Sequence, residues 1–322
     1  MNGIPTSSTG LIAVDWGTSS LRVYRLAGDG RIVEQRSVSI GLRDCQGRFE
    51  ALLAEHLAGW TEGLIVMAGM VGSRNGWFEV PYVECPAGPD DIGRGMREVA
   101  APTLPGRRIV IAPGACDRTV GRAPEVMRGE ETQILGLLDT LDRDHGTGPH
   151  TLCLPGTHSK WATVCAGRLT GFRTAMTGEV FAVLRQHSLL GAGMVDPAEG
   201  RDTTGNNGHP DHTRAFELGL ATSREPGGLL NNLFSVRSRG LFGELTPHQA
   251  APYLSGLLIG HELGGLLDHA GPASGQPVHL IGQASLCARY RQALTWWGVP
   301  SCLHDEALVT RGLVLLAQGL PS

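Results

Sequence analysis

The chain has 322 residues, 41% of them hydrophobic, and 31 acidic against 27 basic side chains give it a formal net charge of −4 at pH 7. A globular chain of this length can form two domains. The small negative charge gives no indication of a nucleic-acid or anionic-membrane surface. No apolar run is long enough to span a bilayer. We therefore expect a two-domain protein that binds neither nucleic acid nor membrane.

The seven cysteines are scattered, and no two of them form a C-x-x-C pair. This argues against a disulfide framework and against structural zinc, and it fits a reducing compartment. The first residues, MNGIPTSSTG, lack the basic and apolar regions of a signal peptide. We therefore expect a cytoplasmic protein.

The first half of the chain opens with three predicted strands, followed by alternating helices and strands. In chain order, the pattern predicts strands at Leu11–Asp15, Leu21–Leu26 and Arg31–Ser39, a helix with Phe49, Leu52, Leu53, Leu57 and Trp60 on one face, strands at Leu64–Ala68 and Arg108–Ala112, and a helix at Arg128–Thr140.

The second half repeats this opening, with predicted strands at Thr151–Pro155, Lys160–Cys165 and Arg168–Phe172. The remaining predictions are helices at Glu179–Leu190, Thr213–Thr222, Leu229–Arg237 and Pro252–Ala270, then strand Val278–Ile281, helix Ala284–Trp296, strand Val299–Leu303 and helix Glu306–Gln318. The repeated opening indicates an internal duplication. The Gly-, Asp- and Pro-containing stretch LDRDHGTGPH reads as a linker, so we predict domains at 1–142 and 143–322.

The stretch LIAVDWGTSSLRVYRL, residues 11–26, combines an apolar strand with a turn of small residues. Asp15 ends the strand, and the turn contains Gly17, Thr18 and Ser19. Such a turn presents N–H groups and hydroxyls to one point, as a nest for phosphate oxygens, and a neighbouring carboxylate suits Mg²⁺. The alternative is an ordinary hairpin whose polar side chains satisfy their own turn.

A second small polar turn lies in LPGTHSKW, residues 154–161, at the equivalent place in the second half. It contains Gly156, Thr157 and His158. Two such turns in equivalent positions could hold the β- and γ-phosphates of a nucleotide from both sides. Either turn alone could equally be an ordinary loop.

Two adjacent carboxylates follow a glycine in MRGEETQILG, residues 127–136. Acidic residues in a first helical turn favour the helix dipole, so Glu130 and Glu131 could be capping residues. The functional interpretation is that Glu130 is a general base that takes a proton from an attacking hydroxyl.

Two further segments are candidate binding sites. The Gly-rich loop AGMVGSRNGW, residues 68–77, follows a buried strand, where open α/β sheets usually bind ligands. Arg74 in it could pair with a substrate carboxylate, although a solvated arginine is the commoner case. The segment VHLIGQASLCARYRQAL, residues 278–294, resembles an adenine site in which Gly282 brings backbone close to the base, or is simply a β–α unit.

The motifs DWGTSSLR, AGMVGSR, MRGEETQ and LPGTHSKW, in this order, resemble the 2-dehydro-3-deoxygalactonokinases. These belong to the superfamily of actin-like sugar kinases, acetate kinases and exopolyphosphatases. The resemblance covers Leu11 to Gln318, and the last three motifs are the more specific to the family. It implies an α/β fold of two actin-like (ribonuclease H-like) domains, each a mixed sheet with flanking helices, around a central nucleotide cleft.

The resemblance also implies roles for individual residues. Asp15 would hold magnesium and phosphate. Glu130, with Gly136 as the later glycine, would be the base where related sugar kinases have an aspartate; Glu131 and Asp117 are the fallback candidates. The implied ATP- and phosphate-binding residues are Gly17, Thr18, Ser19, Gly156, Thr157, His158 and Gly282, and the implied sugar-binding residues are Gly69, Met70, Ser73, Arg74 and Trp77.

The implied reaction transfers the γ-phosphoryl group of ATP, with Mg²⁺, to the 6-hydroxyl of 2-dehydro-3-deoxy-D-galactonate in galactonate catabolism. Three alternatives stay open: a kinase for another sugar acid, a phosphohydrolase of the exopolyphosphatase type, and an actin- or chaperone-like ATP switch. The last ranks lowest because this length lacks the large insertions of such proteins. Expected partners are the sugar acid and ATP, and a homodimer is allowed for.

Overall fold

The computed structural model describes residues 10–45, 47–145, 148–195, 210–272, 275–305 and 307–321. Within these ranges, no helix combines the length and apolar character needed to cross a membrane. The chain divides into two compact units. Unit 1 comprises Met1–Gly148, Thr163–Phe172 and Glu306–Ser322, and unit 2 comprises Pro149–Ala162 and Arg173–Asp305, as far as these residues are described.

The described strands and helices alternate along much of the chain. The strands are β1 (Leu11–Trp16), β2 (Leu21–Leu26), β3 (Ile32–Val38), β4 (Leu64–Gly69), β5 (Val83–Glu84), β6 (Arg97–Val99), β7 (Arg108–Ile111), β8 (Ala115–Asp117), β9 (Glu125–Met127), β10 (His150–Leu154), β11 (Ser159–Cys165), β12 (Arg168–Ala175), β13 (Val278–Ile281) and β14 (Ser301–His304). The helices are α1 (Phe49–His56), α2 (Pro89–Gly95), α3 (Glu130–His145), α4 (Thr177–His187), α5 (Pro210–Thr222), α6 (Gly228–Leu241), α7 (Pro247–Ala270), α8 (Ala284–Trp296) and α9 (Leu308–Gln318).

Unit 1 is organised around a six-stranded sheet in the order β3-β2-β1-β4-β7-β6. Strands β1, β4 and β7 run parallel, so their carboxyl ends share one edge. Strand β2 is antiparallel to β1. The apolar runs of β1 and β4 are buried, as expected for central strands. The apolar residues predicted for the first helix, from Phe49 to Trp60, are also buried in this core, but α1 ends at His56, so Leu57 and Trp60 follow the helix.

Unit 2 contains most of a second sheet, in the order β12-β11-β10-β13-β14. The first four strands of the two sheets share a third-second-first-fourth order, and the prediction of two mixed α/β sheets that open in the same way is confirmed. Ala166 and Gly167, with φ of 48° and 70°, form the predicted tight turn between β11 and β12. The compact units are not continuous along the chain, since Thr163–Phe172 and the C-terminal helix α9 belong to unit 1. The domain division at residue 142 stays a prediction.

Three predicted boundaries are wrong for identifiable reasons. Helix α3 begins at Glu130 rather than Arg128, because Gly129 has φ of +108° and cannot be helical. Helix α7 begins at Pro247 rather than Pro252, because Thr246 and Gln249 form a capping box ahead of it. Strand β14 begins at Ser301 because the Val299 N–H still bonds to the end of α8.

The sequence pattern does not predict five short elements, namely β5, β6, β8, β9 and α2. Each has two to seven residues. Such segments are too short for a period of 2 or 3.6 residues to be recognised. Strands β5, β8 and β9 form a small sheet of their own in unit 1. The strand β9 leads directly into the carboxylates of α3.

Candidate active site

In unit 1, Asp15 and the first phosphate turn lie at the carboxyl end of β1. Asp15 pairs in register with Arg22 of β2, and the Asp15 Oδ2 to Arg22 Nη1 distance is 3.7 Å. The turn is closed by the Gly17 N–H, which donates to the Ser20 carbonyl at 2.9 Å. Thr18 is exposed, as is Ser19 beside it. The backbone of this turn is therefore accessible to an anionic ligand.

Gly41 supports the first turn from behind. A Cβ built on Gly41 would lie 1.8 Å from the Thr18 carbonyl oxygen, so only glycine fits. The next residue, Leu42, donates its N–H to the Gly17 carbonyl at 3.3 Å. Gly41 is a supporting residue that the sequence reasoning missed. Nothing in the sequence marks it, because the contact joins segments more than twenty residues apart.

The loop that follows β4 begins beside the same turn. Gly69 pairs with Trp16 in register, and it has φ of +95°. A Cβ there would lie 2.6 Å from the Trp16 carbonyl oxygen. Half-buried Met70 then starts a short 3₁₀ turn. Trp77 closes the loop by donating its N–H to the Val71 carbonyl at 2.9 Å, and its ring packs against the core of unit 1.

Two polar side chains of this loop lie in contrasting surroundings. Ser73 is 9% exposed, and its Oγ has no hydrogen-bond partner among the described residues. The side chain of Arg74 is 85% exposed, and its Nε lies 3.6 Å from Glu79 Oε1. Arg74 thus makes a solvent-facing ion pair, whereas Ser73 points into the protein.

The two carboxylates of α3 lie against the start of this loop. A Cβ built on Gly129 would lie 3.3 Å from the Cα of Gly69. The Arg128 N–H donates to Glu130 Oε2 at 3.0 Å, and the Gly129 N–H donates to Glu131 Oε2 at 2.7 Å. Both carboxylates therefore accept hydrogen bonds from backbone N–H groups just before α3, as expected if Glu130 and Glu131 are capping residues. The close approach also brings them to the sheet edge that carries Asp15.

Glu131 is the more deeply buried of the pair. It is 2% exposed, and its Oε1 has no hydrogen-bond partner among the described residues. Burial, together with the neighbouring charge of Glu130, raises the pKa of Glu131 to about 8. A carboxyl group that titrates near neutral pH is suited to proton transfer. Glu131 is thus a stronger candidate than its sequence position indicates.

Asp117, the remaining fallback base, is a satisfied structural carboxylate. Its Oδ1 accepts from the N–H and hydroxyl of Thr119 at 2.9 and 2.5 Å, and its Oδ2 lies 3.3 Å from Arg122 Nη2. Burial alone would raise the pKa of Asp117, but these hydrogen bonds outweigh it and the pKa is lowered. A carboxylate held ionised in this way is poorly suited as a base.

Gly136, the later glycine of the same motif, has a packing role. A Cβ built on it would lie 2.1 Å from the Leu308 carbonyl oxygen, and one built on Gly312 would lie 1.9 Å from the Thr132 carbonyl oxygen. These two glycines let α3 and α9 approach closely within unit 1. The helix that carries the carboxylates is thereby fixed from its opposite side.

In unit 2, the second phosphate turn joins β10 to β11 and packs on the start of α4. The Glu179 N–H donates to the Thr157 carbonyl at 2.9 Å, and a Cβ on Gly178 would lie 2.3 Å from the Gly156 carbonyl oxygen. His158 Nε2 lies 2.5 Å from Glu179 Oε2, and both side chains are more than two-fifths exposed. The turn is therefore held by α4, with its polar side exposed.

Gly282 lies next to this second turn. It follows β13, which runs parallel to β10, and it has φ of +142°. A Cβ there would lie 3.4 Å from the Pro155 carbonyl oxygen. The backbone after β13 therefore passes close to the start of the turn.

A buried carboxylate stabilises the base of the second turn. Glu262 of α7 accepts from Trp161 Nε1 and from the Tyr290 hydroxyl, each at 2.7 Å. The Tyr290 hydroxyl also lies 2.7 Å from Ser159 Oγ, which directly follows His158. Burial raises the pKa of Glu262 despite these bonds. The sequence reasoning missed this network, although a glutamate within an apolar helix, LLIGHELGG, could have indicated it.

A groove elsewhere in unit 1 contains none of the predicted site residues. Its volume is about 900 Å³, and α2, β6, β7 and the end of α9 line it. The candidate site is instead defined by the sheet edge in unit 1, where Asp15, the first turn, the Gly69–Trp77 loop and the α3 carboxylates meet. In the part of the chain that the structure describes, no three His, Cys, Asp or Glu side chains form a metal-binding group. Asp15 alone still fits Mg²⁺, which usually takes one or two carboxylates plus phosphates and water.

Two sheets that share the third-second-first-fourth strand order, each with a phosphate-type turn after its first strand, define an actin-like fold. Comparison with known proteins identifies the family. Residues 15–316 match the family model for 2-keto-3-deoxy-galactonokinase, and the chain belongs to this family.

Individual relatives agree with this assignment. The 2-dehydro-3-deoxygalactonokinase of Escherichia coli (strain K12) is 36% identical over 291 residues, covering 89% of this chain and 90% of that protein. DgoK1 of Rhizobium meliloti (strain 1021), named as a probable 2-dehydro-3-deoxygalactonokinase, is 38% identical over 315 residues, 96% of each chain.

Solved structures agree on the fold. The crystal structure of a candidate 2-dehydro-3-deoxygalactonokinase protein from Sinorhizobium meliloti superposes with a TM-score of 0.82 at 36% identity, covering 96% of each chain. Component A of the (R)-2-hydroxyglutaryl-CoA dehydratase of Acidaminococcus fermentans has a TM-score of 0.50 at 14% identity, covering 97% of this chain and 99% of that one. The latter shares the fold alone.

Proposed function

We propose that this kinase transfers the γ-phosphoryl group of ATP to the 6-hydroxyl of 2-dehydro-3-deoxy-D-galactonate, giving 2-dehydro-3-deoxy-6-phosphogalactonate. The observation that carries the proposal is the family match over residues 15–316, together with the α3 carboxylates at the sheet edge of Asp15. We place the reaction in galactonate catabolism in the cytoplasm.

Phosphoryl transfer of this kind depends on positioning and on neutralising charge. Asp15 would hold Mg²⁺, which when bound neutralises negative charge on the phosphates. In the first turn, Thr18 and Ser19 would donate N–H groups to phosphate oxygens, while Gly17, whose N–H is held by the Ser20 carbonyl, would let the phosphate approach the backbone. In unit 2, Gly156 to His158 would bind phosphate, and Gly282 would lie at the adenosine.

The acceptor would be bound and activated by unit 1. The loop containing Gly69, Met70, Ser73, Arg74 and Trp77 would contact the sugar acid. Glu130 would take the proton of the 6-hydroxyl as that oxygen attacks the γ-phosphorus, and the phosphorus–oxygen bond to ADP would break. Glu131 is the alternative base, supported by its burial and by its raised pKa.

An ADP-release assay with and without a panel of sugar acids tests the proposal. We expect ADP release to depend on 2-dehydro-3-deoxy-D-galactonate, with a product heavier by one phosphoryl group in mass spectrometry. If the enzyme prefers another sugar acid in this panel, that acid replaces 2-dehydro-3-deoxy-D-galactonate as the proposed substrate. Acid-independent hydrolysis of ATP or polyphosphate would favour a phosphohydrolase and contradict the kinase assignment.

We also propose that two copies of the chain associate. In unit 2, four large apolar side chains on and just after α6 are exposed, namely Leu230, Phe234, Leu241 and Phe242. Their spacing of four and seven residues places the first three on one face of the helix. Exposed apolar stripes of this kind are typical of protein interfaces.

A further inference from the structure

A buried arginine lies beneath the loop that we expect to contact the sugar acid. Arg128 joins β9 to α3 and is 9% exposed. Its Nη2 donates to the Val80 carbonyl at 2.7 Å, and its guanidinium carbon lies 4.4 Å from the centre of the Tyr82 ring. A Cβ built on Gly72 would lie 3.0 Å from Arg128 Nη1. The guanidinium is thus held between Tyr82 and the loop.

This guanidinium has donors that the protein does not use. Its Nε and Nη1 are buried and have no hydrogen-bond partner among the described residues. Two nearby oxygens are also buried without a hydrogen-bond partner among the described residues. They are Ser73 Oγ in the loop and Glu131 Oε1, three residues after Arg128 in the chain. A buried polar group without a hydrogen-bond partner destabilises the fold, and a charged one does so more strongly. Three such side chains lie around one loop, and a polar ligand bound there would supply the missing hydrogen bonds.

We propose that Arg128 binds the carboxylate of the acceptor and so makes the enzyme selective for sugar acids. This inference rests on the proposed function. Arg74, which belongs to the loop itself, already faces solvent beside Glu79, whereas Arg128 is desolvated and therefore interacts more strongly with an anion. Gly72 lies against Nη1, so binding of the acceptor by this arginine requires that Met70–Gly72 move.

The substitution Arg128→Lys tests this assignment, since it keeps the charge but loses the planar group. The probes are 2-dehydro-3-deoxy-D-galactonate and its C1 amide, which lacks the negative charge. For the wild type we expect kcat/KM to be at least about a hundredfold higher with the acid. Arg128→Lys should lower that ratio at least about tenfold, with KM for ATP changed less than about twofold.

A matched control and a competing variant accompany this test. Arg107 is also an arginine with a buried, unpartnered Nη1, and its Nη2 donates to the Trp60 carbonyl away from the site. Arg107→Lys should leave the acid-to-amide ratio unchanged. If Arg74→Lys lowers the acid-to-amide ratio of kcat/KM instead, Arg74 binds the carboxylate and the proposal is wrong.

The remaining outcomes are also decisive. If the acid-to-amide ratio of kcat/KM is unchanged in Arg128→Lys, Arg128 has a structural role. If kcat falls equally with both acceptors, Arg128 contacts the transferred phosphoryl group. Either result overturns the proposal. If Arg128→Lys does not fold, Tyr82→Leu is the second variant, because it removes the ring that supports the guanidinium. A raised KM for the acid, with KM for the amide unchanged, supports the assignment. An unchanged KM for the acid overturns it. A wild type without acid-dependent ADP release would contradict the proposed function itself.

Discussion

The adjacent carboxylates Glu130 and Glu131 differ in their surroundings although both cap α3. Glu130 is half-buried and accepts from the Arg128 N–H, whereas Glu131 is buried and has one oxygen without a partner among the described residues. Their side chains leave the helix about 100° apart. Only one of the two can point at a given acceptor hydroxyl.

We expect Glu130→Gln to lower kcat by about two to four orders of magnitude, because a positioned base contributes that much. Its KM for ATP should change little. Glu131→Gln is the matched comparison, and kcat and melting temperature are measured for both. If Glu131→Gln is the more damaging to kcat, the base is Glu131. If neither variant loses activity, both residues are caps alone.

The raised pKa of Glu131 gives a second prediction, about stability. A carboxyl group with a pKa of about 8 in the folded state and 4.5 in the unfolded state stabilises the fold fully below 4.5, and this contribution is lost as the pH rises through 8. Each pH unit in that window is worth up to about 1.4 kcal/mol. The melting temperature of Glu131→Gln, measured relative to that of the wild type, should therefore rise as the pH increases from 5 to 8. A constant difference across this range would contradict the pKa shift.

Asp15 gives the third prediction at this scale. Asp15→Ala should nearly abolish turnover, because the proposed magnesium ligand is lost, while circular dichroism stays that of the wild type. The test is the rate in excess Mg²⁺. A variant that retains a large fraction of the wild-type rate would remove the metal role from Asp15.

At the scale of elements, the first phosphate turn depends on the segment behind it. Gly41→Ala would place a methyl group 1.8 Å from the Thr18 carbonyl oxygen, so the turn must move. We expect kcat/KM for ATP to fall at least about tenfold, and the free energy of unfolding to fall by about 1–3 kcal/mol.

The control for this change is Gly93→Ala in α2. A Cβ at Gly93 meets no atom within 4 Å, and its φ is not positive. Alanine there should leave ATP kinetics unchanged and stabilise the helix by up to about 1 kcal/mol. Equal behaviour of the two variants in steady-state kinetics and denaturant unfolding would show that the turn tolerates the displacement.

At the scale of the whole molecule, the exposed stripe on α6 predicts the oligomeric state. Leu230 and Phe234 are 86% and 64% exposed. Replacing both by serine should convert a dimer to a monomer in analytical ultracentrifugation. Val120→Ser, at an isolated apolar residue that is 97% exposed, is the control and should not change the mass. A wild-type monomer at all concentrations would contradict the proposed association.

The class of fold and the family resemblance follow from local features of the sequence. Local periodicity and turn chemistry predict apolar strands such as Leu21–Leu26 and the repeated strand-turn-strand opening from the sequence alone. The four motifs are likewise contiguous in the chain. Asp15 at the end of β1 and the glycine at 282 after β13 lie where the sequence predicts.

The burial of individual polar side chains and their contacts depend on segments that are distant in the chain. Gly41 against Thr18, Glu262 against Tyr290, and Arg128 beneath Gly72 are contacts between distant segments, and no local pattern encodes them. The difference between Arg74 and Arg128 has the same origin. Both arginines belong to glycine-containing motifs, but burial removes water from Arg128 and leaves Arg74 solvated, and this decides how strongly each can bind an anion.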